Sequence, residues 1–341
     1  AKKGFMICTE RMNQFRIDEK NMMVWAQAGV KTNELQDACE EKGLFYPVDP
    51  ASLTDCSIGG NIAENAGGPR AFKYGVTRDY VLGLEVILPN GKILNLGGKT
   101  RKNVAGYALK DLFIGSEGTL GVISSTYLKL LPFPRKRILV WAVFNDFLQA
   151  LDGLTAVYTS GLTPSAIEFV EKKAFQAVEQ LLKTKIPNSD KEAHILIELD
   201  GFDIKSVESQ AQELVKVLKH NKVFDVTKIS DKNEQEQVWE YRRKISEATK
   251  AISFHKKSED IVVPPFYLKD FLKDLKQIEN HYGVEIVCYG HLGDGNVHVN
   301  ILNSTDETGI IWEKFQDQAV SMVFDIVKKY EGTLSGEHGI G

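Results

Sequence analysis

The apolar positions of this chain fall into two regimes, and the change between them marks its organisation. Residues 1–133 are rich in glycine and in short strand-like runs, with one clear helical stripe in which Leu35, Ala38 and Cys39 share a face. Thr32 is placed to cap that helix and Gly43 to end it. At Pro132-Phe133-Pro134 two prolines interrupt any regular element, which predicts a domain boundary. Beyond it, strands and helices alternate. Residues 138–144 read as a strand, and Ile195, Ile197 and Leu199 alternate with His194, Leu196 and Glu198 in another. Val207, Ala211, Leu214, Val215 and Leu218 form one helical stripe, and Leu268, Phe271, Leu272, Leu275 and Ile278 a second. A strand pair covers residues 284–289 and 297–302, and a last helix carries Trp312, Phe315, Ala319, Val323 and Ile326 before Gly332. This mixture predicts an α+β domain with helices on one face of a largely antiparallel sheet. The expected division is 1–133, 134–330 and a glycine-rich segment over 331–341.

Composition narrows the picture only a little. The chain's 341 residues can fill two cores, and 43% hydrophobic with 26% charged residues is the balance of an ordinary globular protein. With 42 basic and 46 acidic residues the net charge is −4, so no basic field exists to attract nucleic acid. Arg135-Lys136-Arg137 reads as a solvated strand end. The four cysteines, Cys8, Cys39, Cys56 and Cys288, lack zinc-ribbon spacing and fit a reducing compartment. No apolar run approaches the roughly 18 residues of a membrane span, and no apolar region follows Ala1-Lys2-Lys3, so the expected location is the cytoplasm. The chain opens without methionine and stops on Gly339-Ile340-Gly341, which reads as the ordered part of something longer.

The richest segment is Tyr289-Gly290-His291-Leu292-Gly293-Asp294-Gly295-Asn296-Val297-His298-Val299-Asn300. Asp294-Gly295 between apolar runs signals a two-residue type I′ hairpin turn. That turn pairs Gly293 with Asn296, Leu292 with Val297 and His291 with His298. Directly opposed residues share a sheet face with Cβ atoms about 4.5–5.5 Å apart, a spacing at which two imidazoles can chelate one metal ion. Asn300 joins His298 on that face, while Leu292, Val297 and Val299 point into the core. Two hydrogen-bonded strand histidines are the alternative. In Ser335-Gly336-Glu337-His338-Gly339-Ile340-Gly341, Glu337 would complete a two-histidine, one-carboxylate set with open coordination positions, leaving His338 as a base. An exposed glycine loop is the alternative there.

Two glycine clusters remain, residues 50–68 and 115–121. Paired glycines let backbone amides approach a ligand, but neither cluster has G-x-G-x-x-G spacing, so a nicotinamide site is not supported. Gly98-Lys99-Thr100 ends like a Walker A loop, but Ile93 stands where that loop needs glycine.

Gly59-Gly60-Asn61, Asn65-Ala66-Gly67-Gly68, Tyr74-Gly75, Gly115-Ser116-Glu117-Gly118-Thr119-Leu120-Gly121, the histidine hairpin and Ser335-Gly336-Glu337-His338 occur in one order. In these motifs the chain resembles the FAD-linked oxidase family, which includes D-lactate dehydrogenases, D-2-hydroxyglutarate dehydrogenase and a component of glycolate oxidase. The resemblance covers nearly the whole chain. It implies a vanillyl-alcohol oxidase-type FAD-binding domain over 1–133, lacking the family's N-terminal pyrophosphate loop and C-terminal tail. A ferredoxin-like α+β substrate (cap) domain built on an antiparallel sheet follows over 134–330, and 331–341 returns to the active site. Residues implied at the FAD are Pro50, Ser52, Ser57, Gly59, Gly60, Asn61, Asn65, Gly67, Gly68, Tyr74, Gly75, Glu117, Gly118, Gly121 and Ile123. His291, His298 and Glu337 would hold a divalent metal, with Zn foremost and Mn, Co or Fe as alternatives, and His338 would be the catalytic base. Arg242 matches the arginine that grips the substrate carboxylate, with Ser246 one helical turn later. Asn300 and Lys257 complete the implied substrate contacts, Lys257 being out of register by about one residue.

The implied reaction is oxidation of a small D-2-hydroxy acid, of the glycolate or D-lactate type, to the 2-oxo acid. The metal polarises the hydroxyl, His338 takes its proton and hydride leaves for the flavin. The implied partner is an iron-sulfur or quinone-linked acceptor subunit, at which the chain could lie peripherally on the inner membrane, and an oligomer is compatible. The rival readings are a flavin-free metallohydrolase and an inactive partner-binding subunit.

Overall fold

A computed structural model of the chain describes residues 6–305 and 308–340. The expectations resting on Ala1, Lys2, Lys3 and Gly341 lie outside them. The chain divides into two compact units. One is Ala1–Pro134 with Glu337–Gly339, and the other is Arg135–Gly336 with Ile340.

The first unit runs β1 (Phe15–Asp18), β2 (Met23–Gln27), α1 (Thr32–Glu40), β3 (Leu44–Phe45), α2 (Ile58–Glu64), α3 (Ala71–Tyr74), β4 (Val81–Ile87), β5 (Ile93–Gly97), α4 (Lys110–Phe113), β6 (Val122–Lys129) and β7 (Leu131–Pro132). Five strands pair antiparallel in the order β1-β2-β6-β4-β5, and β3 pairs with β7. Alternation along β2 turns Val24 and Ala26 into a core that also holds Leu35 and Cys39 of α1 and Ile58 and Ile62 of α2. Fully burying a side chain such as Leu35 is worth about 1.5–3 kcal/mol. Thr32 does not cap α1. It is buried in the first turn, where its Oγ1 accepts a hydrogen bond from Asn61 Nδ2 at 2.8 Å, and the capping position falls to Lys31, which offers no side-chain acceptor. Cys56 Sγ donates to the same Thr32 Oγ1 at 3.2 Å, so both of its lone pairs are taken before the helix's own amides.

The second unit runs β8 (Lys136–Phe144), α5 (Phe147–Thr159), β9 (Ala166–Glu171), α6 (Lys172–Leu182), β10 (Ala193–Gly201), α7 (Ile204–His220), β11 (Asp225–Ile229), α8 (Lys232–Arg243), α9 (Ile245–Ala251), β12 (His255–Val262), α10 (Leu268–Tyr282), β13 (Glu285–His291), β14 (Asn296–Asn303) and α11 (Trp312–Lys329). Asp146, Asp203 and Asp231 cap α5, α7 and α8 by accepting from first-turn amides. Seven strands pair antiparallel in the order β11-β8-β10-β9-β13-β14-β12.

Helices cover both faces of this sheet, not one as expected. Trp141 packs on Phe175 of α6, whereas Phe144, on the opposite face of β8, meets Gly153 of α5, which also approaches Leu218 of α7. The expectation failed because His194 and Glu198 mimic a solvent-facing row in β10. Both are buried, His194 accepting from Trp141 Nε1 at 3.1 Å and Glu198 from Ser165 Oγ at 2.8 Å. A buried polar group with a partner is tolerated in a core, so polarity alone did not mark the outside.

At the end of β9, Glu171 accepts from the Cys288 amide at 2.8 Å. Burial, reinforced by nearby Glu279, pushes its carboxyl up to about 7 from an ordinary 4.5. Its folded form therefore holds a proton that the unfolded chain releases, and stability contributed by this group is lost as pH rises from about 4.5 to 7. Glu171→Gln is expected to leave stability unchanged near pH 4 and to raise it at pH 8 by about 1–3 kcal/mol. Denaturant melts at both pH values check this, and a gain independent of pH would contradict it.

Candidate active site

Four adjacent strands of the second unit, β9, β13, β14 and β12, turn polar side chains onto one face. The hairpin joining β13 to β14 is longer than the expected two-residue turn. Leu292–Asp294 form a 3-10 turn and Gly295 follows at φ +74°, so four residues connect the strands. The register accordingly places Tyr289, not His291, opposite His298, a slip of two from the expected pairing. An even slip preserves faces, because side chains alternate with period two. His291 and His298 thus remain on one face as diagonal neighbours, with ring centroids 5.2 Å apart and a ligand nitrogen of each within 4.8 Å of the other. Gly295 is needed twice over: its φ is left-handed, and a Cβ there would sit 2.0 Å from the Val263 carbonyl oxygen. Tyr158 of α5 pins the turn by donating to the Leu292 and Gly293 carbonyls at 3.0 and 2.9 Å.

Each histidine is held by a carboxylate. His291 Nδ1 donates to Glu168 Oε1 at 2.6 Å, and His298 Nδ1 lies 3.3 Å from Asp260 Oδ1. Glu168 is fully buried on β9, and its second oxygen meets Arg242 Nε at 2.7 Å in an ion pair that lacks linear hydrogen-bond geometry. Burial works to raise the Glu168 carboxyl, but the facing His291 and Arg242 outweigh it and hold it below the usual range. Arg242 is therefore no surface residue. It is 6% exposed, its guanidinium lies over the Tyr289 ring at 4.8 Å, and its Nη2 is buried without a hydrogen-bond partner among the described residues. Asp260 also accepts from Asn296 Nδ2 at 2.7 Å and from the Gly336 amide at 3.1 Å.

Other expected substrate contacts fall out differently. Asn300 shares the histidine face, but its amide is committed within the sheet, donating to the Val287 and His298 carbonyls and accepting from Ser258 Oγ at 2.8 Å. Lys257 pairs with Ile301 and faces the other side. The lysine on the site face is Lys256, whose Nζ donates to the Ser246 carbonyl and to Thr249 Oγ1; burial, with Lys250, pulls it down to about 8. Ser246 does not continue the helix of Arg242. α8 stops at Arg243 and Ser246 lies in the first turn of α9, next to the Tyr289 hydroxyl. Glu168 and Asp260 were not expected. Glu168 had a signal, as a lone carboxylate in the apolar run Ala166-Ile167-Glu168-Phe169-Val170, whereas Asp260 stands among polar neighbours that conceal it.

In the first unit the two glycine clusters meet. The Gly115 and Glu117 amides donate to the Ile62 and Ala63 carbonyls, both at 2.9 Å. Ser57 caps α2 by accepting from the Gly60 amide, and Asn65 ends it at φ +55°. Several expected cofactor residues also have packing contacts. A Cβ on Gly59 would come within 2.6 Å of the Ala28 side chain, and one on Gly121 within 2.9 Å of the Ile87 carbonyl oxygen. Ile123 and Pro50 are buried, the Tyr74 ring stacks edge-on against Phe45, and Gly68 and Gly75 lie against Asp49 and Asp79. The Ser52 carbonyl accepts from the Asp55 and Cys56 amides, and Asn61 is taken by Thr32. Space is open beside Gly118, and Gly67 faces Glu337 Oε2. Around them, Glu64 has a buried Oε2 without a hydrogen-bond partner among the described residues. Burial first and Glu117 second push its carboxyl up, against the opposing influence of His338.

Residues 133–341 match the C-terminal domain of FAD linked oxidases, and residues 1–97 match an FAD binding domain. Glycolate oxidase subunit GlcD of Bacillus subtilis is 36% identical over 99% of this chain and 71% of its own length. D-lactate dehydrogenase of Archaeoglobus fulgidus is 34% identical over 100% of this chain and 74% of its own. D-2-hydroxyglutarate dehydrogenase of Stutzerimonas stutzeri is 33% identical over 98% and 73%. Among solved structures, alkyldihydroxyacetonephosphate synthase matches with TM-score 0.75 at 21% identity, over 96% of this chain and 63% of that one. p-Cresol methylhydroxylase with substrate bound matches with TM-score 0.75 at 16% identity, over 95% and 70%. These two share the fold, an α+β architecture in which an FAD-binding domain is joined to an antiparallel-sheet domain. Among the described residues no helix is long and apolar enough to cross a membrane.

Proposed function

This chain belongs to the FAD-linked oxidase family, as an FAD-linked oxidoreductase of its 2-hydroxy acid dehydrogenases, and from that premise we propose that it oxidises a small D-2-hydroxy acid of the glycolate or D-lactate type to the 2-oxo acid. The observation that carries this reading is one sheet face with two kinds of recognition. His291 Nδ1 faces Glu168 and His298 Nδ1 lies 3.3 Å from Asp260, the carboxylate-backed arrangement in which a metal-binding imidazole is commonly held, with Nε2 as the ligand atom. Beside them Arg242, tied to the same Glu168 as His291, keeps a buried nitrogen without a hydrogen-bond partner among the described residues, and a substrate carboxylate would complete it. A face that would hold a metal beside an arginine open to a carboxylate suits a 2-hydroxy acid.

Glu337 is the third metal ligand in this reading. It follows Gly336, whose amide is bonded to Asp260, directly in the chain. Zn suits two imidazoles and a carboxylate, and Mn, Co or Fe would also be accepted. The metal supplies polarisation of the substrate hydroxyl and FAD supplies a hydride acceptor. The protein's own residues do the rest. Arg242 fixes the carboxylate, and thereby the α-carbon, while His338 removes the hydroxyl proton. The Ser57–Gly68 and Gly115–Gly121 segments, bonded to each other, are the FAD-lining elements, with Gly60, Gly67 and Gly118 as the least obstructed positions. The relative named as a glycolate oxidase subunit supports a multi-subunit assembly, in which an iron-sulfur or quinone-linked subunit takes the electrons.

Anaerobic mixing of the purified flavoprotein with glycolate, D-lactate or D-2-hydroxyglutarate is expected to bleach the oxidised flavin band with at least one of them, and L-lactate is expected to leave it. A flavin that none of these reduces, while dithionite does, would remove the hydroxy-acid assignment.

A further inference from the structure

Glu168 has no place in the reaction as outlined, yet its carboxylate is joined both to a histidine of the metal pair and to the substrate-side arginine. Its carboxylate is fully buried, with Oε1 2.6 Å from His291 Nδ1 and Oε2 2.7 Å from Arg242 Nε. We propose that Glu168 is a positioning residue that sets the metal-binding tautomer of His291 and the orientation of Arg242 with a single carboxylate, so that metal affinity and substrate affinity are coupled through it. The proposal rests on the function just proposed.

An ionised carboxylate only accepts, so both groups facing Glu168 must present N–H. For Arg242 that is automatic. For His291 it fixes the neutral ring's proton on Nδ1 and leaves a lone pair on Nε2, the form a metal requires. The same anion compensates the buried guanidinium, which leaves Nη2 available to a second carboxylate. A carboxamide cannot do both. In Glu168→Gln one end accepts and the other donates, and charge assistance favours turning the oxygen toward Arg242. The amide nitrogen then faces His291 Nδ1, which must become the acceptor, and the proton moves to Nε2 where the metal would bind.

Three forms of the full chain separate this role from a purely structural one, using Zn2+ and competition with a chelating dye. Wild type is expected to bind Zn2+, and Glu168→Gln to bind it about 10–100-fold more weakly. The double variant Glu168→Gln/Arg242→Met is expected to recover most of that affinity, because with the guanidinium gone the amide oxygen is free to accept from His291. Recovery on removing a second buried residue is not the behaviour of a loosened core. Zn2+ affinity in Glu168→Gln within twofold of wild type, or a double variant weaker than the single one, would overturn the proposal. If Glu168→Gln does not fold, Glu168→Asp carries the test. Its shorter carboxylate cannot reach both donors, so the dissociation constant for Zn2+ or for the hydroxy acid rises at least tenfold, and two unchanged constants overturn the coupling. A wild-type chain that binds no Zn2+, Mn2+, Co2+ or Fe2+ overturns the metal reading itself, and the coupling with it.

Discussion

His298→Ala is expected to empty the metal site and to abolish hydroxy-acid-dependent flavin reduction while the chain stays folded. Loss of a direct ligand should exceed the 10–100-fold effect typical of a supporting residue, so metal affinity should fall by more than about 100-fold. The fold should tolerate the change, since Asp260 would still accept from Asn296 Nδ2 at 2.7 Å and from the Gly336 amide at 3.1 Å. No buried carboxylate is stranded, and the imidazole is replaced by a small apolar side chain on a strand whose opposite face, Val297 and Val299, remains packed. Elemental analysis and dithionite reduction check the two halves. Retention of stoichiometric metal would exclude His298 as a ligand.

His338→Ala should give the opposite dissociation, with metal and flavin retained and turnover lost. Removing a general base typically costs 10²–10⁴-fold, and kcat should fall by about that much with little change in KM. Glu64 and Glu117 lie against the adjacent Gly339, and His338 opposes the rise of the Glu64 carboxyl, so its loss should also leave Glu64 more readily protonated. Rapid-mixing measurement of flavin reduction reads the chemical step directly. A variant retaining a third or more of the wild-type rate would remove His338 from the reaction.

How much of this was legible beforehand follows from the range of each signal. The histidine face could be read from residues seven apart, and it survived an error in the turn because the slip was even. The four-residue turn itself could not be read, since Tyr158 and Val263, which stabilise it, lie outside the hairpin. Glu168 stands 123 residues from His291, and only strand order brings them together. The same limit explains Lys256 and Lys257. Which of two consecutive lysines faces the site depends on pairing between β12 and β14, where Ser258 is opposite Asn300 and Asp260 opposite His298. Helices on both sheet faces were hidden because His194 and Glu198 find buried partners on other elements. The glycine clusters were visible as motifs, but which glycines pack and which border open space was not, because Ala28 and Ile87 decide it at a distance.

Hydride transfer from the hydroxy acid is expected to require a metal on the histidine face. Anaerobic flavin bleaching by the best substrate of the hydroxy-acid panel tests this when followed in one preparation before metal removal, after removal and after reloading with Zn2+. Rapid bleaching is expected first, then none while dithionite still reduces the flavin, then recovery. Bleaching at an undiminished rate in metal-free protein would contradict it.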